Sequence, residues 1–116
     1  MHALLVLWDL STDSKATFEE LREYLWTRSM PRFREMEGLR QKTWISSSDT
    51  GEWGALYVFE RRDQAEAVIG HLSDSPVVEL TGKRPTARIF EVEAIVEGQH
   101  DGADLLTSGL VWVGRT

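Results

Sequence analysis

The stretch EWGALYVFERRDQAEAVI, Glu52 to Ile69, decides the fold, because a strand, a charged turn and a helix follow one another within it. Apolar residues dominate Trp53 to Glu60, which is the length of an ordinary strand. After the turn, apolar side chains recur at the helical spacing i, i+3, i+4 and i+7, at Ala65, Val68, Ile69 and Leu72. Asp63 and Glu66 match a capping box and predict that this helix starts there.

Both faces of this strand are apolar. Successive side chains of a strand point to opposite faces. One face therefore carries Trp53, Ala55, Tyr57 and Phe59, and the other carries Gly54, Leu56 and Val58. The helices of so short a chain cover only one face, and the second would expose more apolar surface than monomers usually do. We expect a second copy of the chain to cover it in a homodimer.

The rest of the chain supplies the strands and helices that pack with this strand and helix. Ala3 to Leu10 is a nearly continuous apolar run, typical of a central strand. Thr17 and Glu20 form a capping box that starts a helix at Phe18. Pro31 lacks an amide donor and interrupts the apolar stripe. We therefore expect a kink or a second short helix that ends at Gly38.

The remaining strands and helix complete the element order of a known fold. Leu39 to Ser47 is a strand that forms a hairpin with the next one, and Ser75-Pro76 opens a short helix that reaches Leu80. Thr86 to Val96 is the last strand. Strand, helix, strand, strand, helix, strand is the ferredoxin-like α+β sandwich, with both helices on one face of an antiparallel sheet. We assign this domain to residues 1–97.

Residues 98–116 form a C-terminal extension. It begins polar and glycine-rich and ends with the apolar run Leu110 to Val113. An unstructured tail rarely ends in this way. We expect an arm or extra strand that docks on the domain or on the partner subunit, and recruitment of another protein through this tail is one hypothesis for the function.

Composition excludes several classes of function. The chain has 116 residues and a net charge of −6, from 13 basic and 19 acidic side chains, which argues against binding nucleic acid or an anionic membrane. It has no cysteine, so disulfides, thiolate metal sites and a cysteine nucleophile are excluded. The apolar start lacks a basic leader and is too short to span a bilayer, so we expect a cytoplasmic protein.

Several motifs carry a resemblance to a known family. Gly38, Lys42 and Trp44 form a strand that ends in Lys-x-Trp, and GALYVF and ARIFEVE follow. This pattern resembles the YdhR-type monooxygenases of the dimeric α+β barrel superfamily, which includes the antibiotic-biosynthesis monooxygenases. One residue is inserted between Gly54 and Tyr57 relative to the family's form.

The resemblance implies a homodimer with a small pocket between each sheet and its helices. It also implies oxygenation of an electron-rich aromatic or polyketide-like substrate with no metal, flavin or other cofactor, because the deprotonated substrate itself supplies electrons to oxygen. Haem-degrading relatives carry an axial histidine after the second helix, and the segment SPVVELTGKRP has none, which argues against haem binding unless His71 takes that role.

The candidate pocket residues are mostly aromatic. Trp8, Trp44 and Trp53 are candidate substrate contacts, although each also fits plain core or dimer packing. Tyr57 adds a hydroxyl that needs a partner when buried and is a candidate catalytic residue. Without catalysis, the same pocket would make the chain a binder of small hydrophobic ligands.

Four charged or titratable residues are further candidates. His71 is a candidate general base, although a histidine at a helix end also interacts favourably with the helix dipole. Asp9, at the end of an apolar strand, is a candidate catalytic carboxylate with a raised pKa, or simply a solvated residue. Arg40 and Lys42 share a face with Trp44 by alternation and are expected to clamp an anionic oxygen, unless they only keep an edge strand soluble.

The sequence lacks the motifs of several other enzyme classes. The sequence has no glycine-rich phosphate loop, no G-x-S-x-G elbow and no dinucleotide fingerprint. The remaining histidines, His2 and His100, are scattered, so no metal site is predicted.

Overall fold

The computed structural model describes residues 1–99, and in them four strands and four helices follow one another in the order that the sequence predicts. The elements are β1 (His2–Asp9), α1 (Phe18–Tyr24), α2 (Met30–Arg34), β2 (Leu39–Ser47), β3 (Glu52–Phe59), α3 (Arg62–His71), α4 (Pro76–Thr81) and β4 (Thr86–Glu91). A π-helical turn, Leu25–Ser29, joins α1 to α2, and a 3-10 turn, Leu72–Asp74, follows α3. The four strands form one antiparallel sheet in the order β2-β3-β1-β4. The predicted ferredoxin-like fold is confirmed.

The two central strands hold most of the core. β1 and β3 pair along their whole length, with Leu4 opposite Tyr57 and Trp8 opposite Trp53. Leu4 and Val6 are fully buried, and they pack with the aromatic face of β3 and with Leu21 of α1. The alternation read from the sequence is correct, and the helices cover the face that carries Trp53 and Tyr57.

The other face of the sheet is left open by the described chain. Leu56, Ile45 and Phe90 keep 38%, 40% and 39% of their surface exposed, although they lie on three different strands of the sheet. Leu5 and Leu7 are only partly buried beside Ile45. This apolar surface is called the open face, and it is the face left for the partner subunit that the sequence predicts. The homodimer itself stays a prediction.

The first helical segment follows its capping and proline signals. Thr17 Oγ1 accepts a hydrogen bond from the Glu20 amide at 3.2 Å, and Glu20 Oε1 accepts one from the Thr17 amide at 3.2 Å. The predicted second short helix is present as α2, with Pro31 in its first turn, where no amide donor is required. The π-helical turn before it is closed by the Met30 amide, which donates to the Leu25 carbonyl.

Two helix boundaries differ from the prediction. α2 ends at Arg34 and not at Gly38, which instead takes a positive φ of 77° in the turn that enters β2. α3 begins at Arg62, because Gln64 Oε1 accepts a hydrogen bond from the Arg61 amide at 3.0 Å and makes Arg61 the cap. The predicted cap residue, Asp63, lies within the first turn and pairs with the Arg61 guanidinium.

The last two elements are placed as predicted, but the final strand is shorter. Ser75 Oγ accepts a hydrogen bond from the Val77 amide at 3.2 Å and caps α4. β4 ends at Glu91 and not at Val96, because its partner strand β1 begins at His2. The Val92 amide still donates to the Met1 carbonyl at 3.1 Å.

Residues 100–116, which include His100 and the predicted docking segment Leu110 to Val113, lie outside the described residues. Among residues 1–99, no helix has the length and apolar character needed to cross a membrane.

Candidate functional site: a cavity between sheet and helices

A cavity of about 600 Å³ lies between the covered face of the sheet and the helices. Trp8, Trp44, Trp53 and Tyr57 line it from the sheet. Apolar side chains of the helical layer line the other side: Phe33, Met36, Val68, Leu72 and Val77. The volume falls within the range of sites that enclose a small molecule. All four aromatic residues that the sequence singles out therefore meet in one place.

Ring contacts hold these walls in position. Phe33 meets Trp44 and Tyr57 edge-on, with ring centroids 5.9 and 6.0 Å apart. Tyr57 stacks on Phe59 at 5.8 Å with an interplanar angle of 12°. The indole of Trp8 donates to the Lys83 carbonyl at 3.0 Å, which fixes its orientation. Such contacts favour a preformed slot with flat apolar walls, suited to a planar ligand.

Tyr57 adds a polar atom to this apolar surface. The residue is 5% exposed, and burial raises the pKa of its phenol to about 12, with Arg32 acting in the opposite direction. Its hydroxyl makes no hydrogen bond with any other residue in the described range, 1–99. At neutral pH it is therefore a protonated donor with no described partner, and it is able to bind a ligand oxygen.

Lys42 is more central to the cavity than the sequence alone indicates. Its Nζ lies 3.2 Å from the ring centroid of Phe33, 4.3 Å from that of Tyr57 and 4.4 Å from that of Trp44. Burial, and secondarily the charge of Arg32, lower the pKa of its amine to about 6. No described carboxylate forms an ion pair with it. In the sequence, Lys42 is a lysine at an inward-facing position of a strand. Such a position predicts either an amine that binds an anionic oxygen or a buried amine.

His71 lies at the edge of the cavity. It is the last residue of α3, its side chain is exposed, and it lines the cavity together with Asp74 and Ser75 of the following turn. This position would let it pass a proton between a bound ligand and water. The same position also suits a histidine at a helix end, and its role stays a prediction.

The structure does not bring Arg40 to the cavity. The pairing of β2 with β3 moves from Leu39 opposite Phe59 to Gln41 opposite Val58, so Arg40 is the extra residue of a β-bulge. Its guanidinium reaches Glu60 at 3.3 Å on the surface. The expectation that Arg40 shares a face with Lys42 and Trp44 is therefore wrong, because simple alternation fails at a bulge.

Asp9 also lies outside the cavity. Its carboxylate is fully exposed and accepts hydrogen bonds from the Ser11 hydroxyl at 2.6 Å and the Ser11 amide at 3.0 Å. These bonds lower the pKa of Asp9, which does not fit the alternative of a catalytic carboxylate with a raised pKa and fits the alternative of a solvated residue. The strand end is open to water rather than being a semi-apolar mouth.

Within residues 1–99, no three side chains of the types that ligate metals come together. The cavity presents aromatic walls, the side chains of Tyr57 and Tyr24 and the amine of Lys42, with Arg32 and His71 also among its lining residues.

This fold is shared with a monooxygenase. A solved structure of a monooxygenase from Streptomyces coelicolor, from the gene ActVA-Orf6, in complex with the ligand nanaomycin D, is similar to this chain with a TM-score of 0.60. The similarity covers 84% of this chain and 92% of that one, at 17% sequence identity. No protein-family model and no curated protein sequence matches the chain. The structural likeness supports the predicted fold.

Proposed function

We propose that the chain is a small monooxygenase of the YdhR type that oxidises an aromatic or polyketide-like compound in the cavity without a metal or flavin. The observation that carries the proposal is the aromatic-walled cavity of about 600 Å³, which holds the hydroxyl of Tyr57 and the amine of Lys42. The monooxygenase fold adds support, although fold alone does not fix an activity.

The chemistry uses the substrate as the reductant. In an anthrone-type compound, a CH₂ group between two rings loses a proton, and the resulting enolate transfers electrons to O₂. One oxygen atom becomes the new ring carbonyl, and the other leaves as water. Flat walls orient the rings, Tyr57 donates a hydrogen bond to the developing oxyanion, and His71 is the proposed base that takes the carbon-bound proton.

The test is oxygen consumption by the full chain with anthrone or a quinol. Tyr57→Phe removes one donor to the oxyanion, and His71→Ala removes the base, so each is expected to lower kcat by about tenfold or more. Arg40→Ala is the matched control, since Arg40 lies outside the cavity, and it should leave the rate unchanged. Equal rates in all four proteins would remove the proposed roles of Tyr57 and His71.

A binding protein without catalysis is the second candidate, and the same cavity favours it. Tryptophan fluorescence distinguishes the two functions, because Trp8, Trp44 and Trp53 line the cavity and a bound aromatic ligand should quench them. Quenching without oxygen consumption would favour the binder. A lack of quenching by any such ligand would contradict both candidates.

A further inference from the structure

We propose that the Lys42 amine accepts the proton of an acidic ligand hydroxyl and then, as an ammonium, holds the ligand's oxyanion, so that the cavity selects phenols and enols. The inference rests on the proposed function, because it names the class of compound that the same cavity takes. It concerns a hydroxyl proton and not the carbon-bound proton assigned to His71.

The geometry around Lys42 is that of a cage with one open side. Phe33 from α2, Trp44 from β2 and Tyr57 from β3 place ring centroids within 3.2 to 4.4 Å of Nζ. All four residues line the cavity. The rings exclude water from the sides of the amine, and the space that remains open to it is the cavity. Tyr57, whose ring centroid lies 4.3 Å from Nζ, lines the same cavity.

The charges around this amine come from several elements. Arg32 of α2 is the charged group that acts on both Lys42 and Tyr57, and it opposes a second positive charge. Glu37 from the turn after α2, and His71 and Asp74 from the end of α3, also line the cavity, but no described carboxylate is within ion-pair distance of Lys42. Burial and Arg32 together keep the amine mostly neutral at pH 7, which leaves its lone pair free to accept a proton.

Proton transfer converts this poor site for a lone cation into a good site for an ion pair. The ligand O–H bond breaks, an N–H bond forms on Lys42, and the electron pair stays on the ligand oxygen. The three ring faces attract the new ammonium. The oxyanion interacts with that ammonium, receives a hydrogen bond from Tyr57, and offsets the repulsion from Arg32. In a water-poor site these interactions are stronger than in solution.

Two matched probes test this with the full chain. 4-Nitrophenol reports its own ionisation, because its phenolate absorbs at longer wavelength than its phenol, and 4-nitroanisole has a similar shape without the acidic proton. Bound to the wild-type protein, 4-nitrophenol should ionise at a pH lower by about one unit or more than in water. Lys42→Met should abolish this shift and leave the affinity for 4-nitroanisole within about twofold.

Lys42→Arg separates the proton acceptor from the positive charge. Arginine is always protonated, so it still pairs with a phenolate but takes up no proton. At a pH below the pKa of free 4-nitrophenol, a pH indicator in weakly buffered solution should show about one proton released per ligand bound as phenolate by this variant and fewer for the wild type. Equal release by both proteins would overturn the role of Lys42 as acceptor, even if Lys42→Met failed to fold.

The remaining outcomes show whether a failed test contradicts the inference alone or the proposed function as well. If 4-nitroanisole quenches tryptophan fluorescence but bound 4-nitrophenol keeps its phenol spectrum, the inference is wrong and the proposed function stands. Equal ionisation in the wild type and Lys42→Met has the same meaning. If neither probe binds at any soluble concentration, both the inference and the proposed function are contradicted.

Discussion

Lys42 should make the stability of the chain depend on pH in the neutral and mildly alkaline range. The pKa of its amine is about 6 in the folded chain and near the ordinary 10.5 when unfolded, so between these values the unfolded chain binds more protons. The free energy of unfolding should therefore rise from pH 6 towards pH 10, by up to about 1.4 kcal/mol per pH unit. Urea denaturation at pH 7, 8 and 9 measures this slope, which Lys42→Met should flatten. A wild-type slope of zero would contradict the buried amine.

Tyr57 should matter for the site and not for folding. Its hydroxyl has no partner among residues 1–99, so Tyr57→Phe removes a buried polar group and no described hydrogen bond. The free energy of unfolding should stay within about 0.5 kcal/mol of the wild-type value or increase slightly. Leu4→Ala, at a fully buried position on the neighbouring strand, should instead cost about 2–5 kcal/mol. A large loss in Tyr57→Phe would mean that the hydroxyl is structurally engaged.

At the scale of the elements, the helix caps show which helix boundaries the sequence determines and which it leaves open. At α1 one capping box, Thr17 with Glu20, has no competitor, and the helix begins where predicted. At α3 the sequence offers two caps that lie two residues apart: Asp63, paired with Glu66, and Arg61, paired with Gln64. The chain uses the second, in which Gln64 accepts a hydrogen bond from the Arg61 amide. The bounds of β2 agree with the prediction, but its bulge at Arg40 does not follow from alternation, since β3 sets the register. Pairing between strands therefore decided which cationic residue reached the cavity.

The α1 cap gives a prediction at this scale. Thr17→Ala removes the acceptor for the Glu20 amide and should lower the free energy of unfolding by about 1 kcal/mol. Thr12→Ala is the matched control, because Thr12 is exposed in the loop before the helix and makes no side-chain hydrogen bond within residues 1–99. Thermal or urea unfolding followed by circular dichroism measures both. Equal losses in the two variants would show that the cap contributes nothing specific.

At the scale of the whole molecule, the helices cover one side of the sheet and leave the other side open. The side with Trp53 and Tyr57 meets the helices and encloses the cavity, which answers the question raised by the two apolar faces of β3. The sequence shows that both faces are apolar, but it does not show which one the helices cover, because that depends on how β1 and β3 pair. We propose that a second copy of the chain covers the open face, since a ferredoxin-like sheet that packs on its own copy buries both apolar surfaces at once.

The proposed homodimer is tested by charging the open face. Leu56 lies on the central strand β3 and is 38% exposed, so Leu56→Glu should cost a single chain little while placing two like charges within a two-fold interface. Sedimentation equilibrium should show a dimer for the wild type and a monomer for Leu56→Glu. Ile69→Glu is the matched control, because Ile69 is 37% exposed on α3, away from the open face, and this variant should stay dimeric. A wild-type monomer at high protein concentration, or a dimer that survives Leu56→Glu unchanged, would contradict this interface.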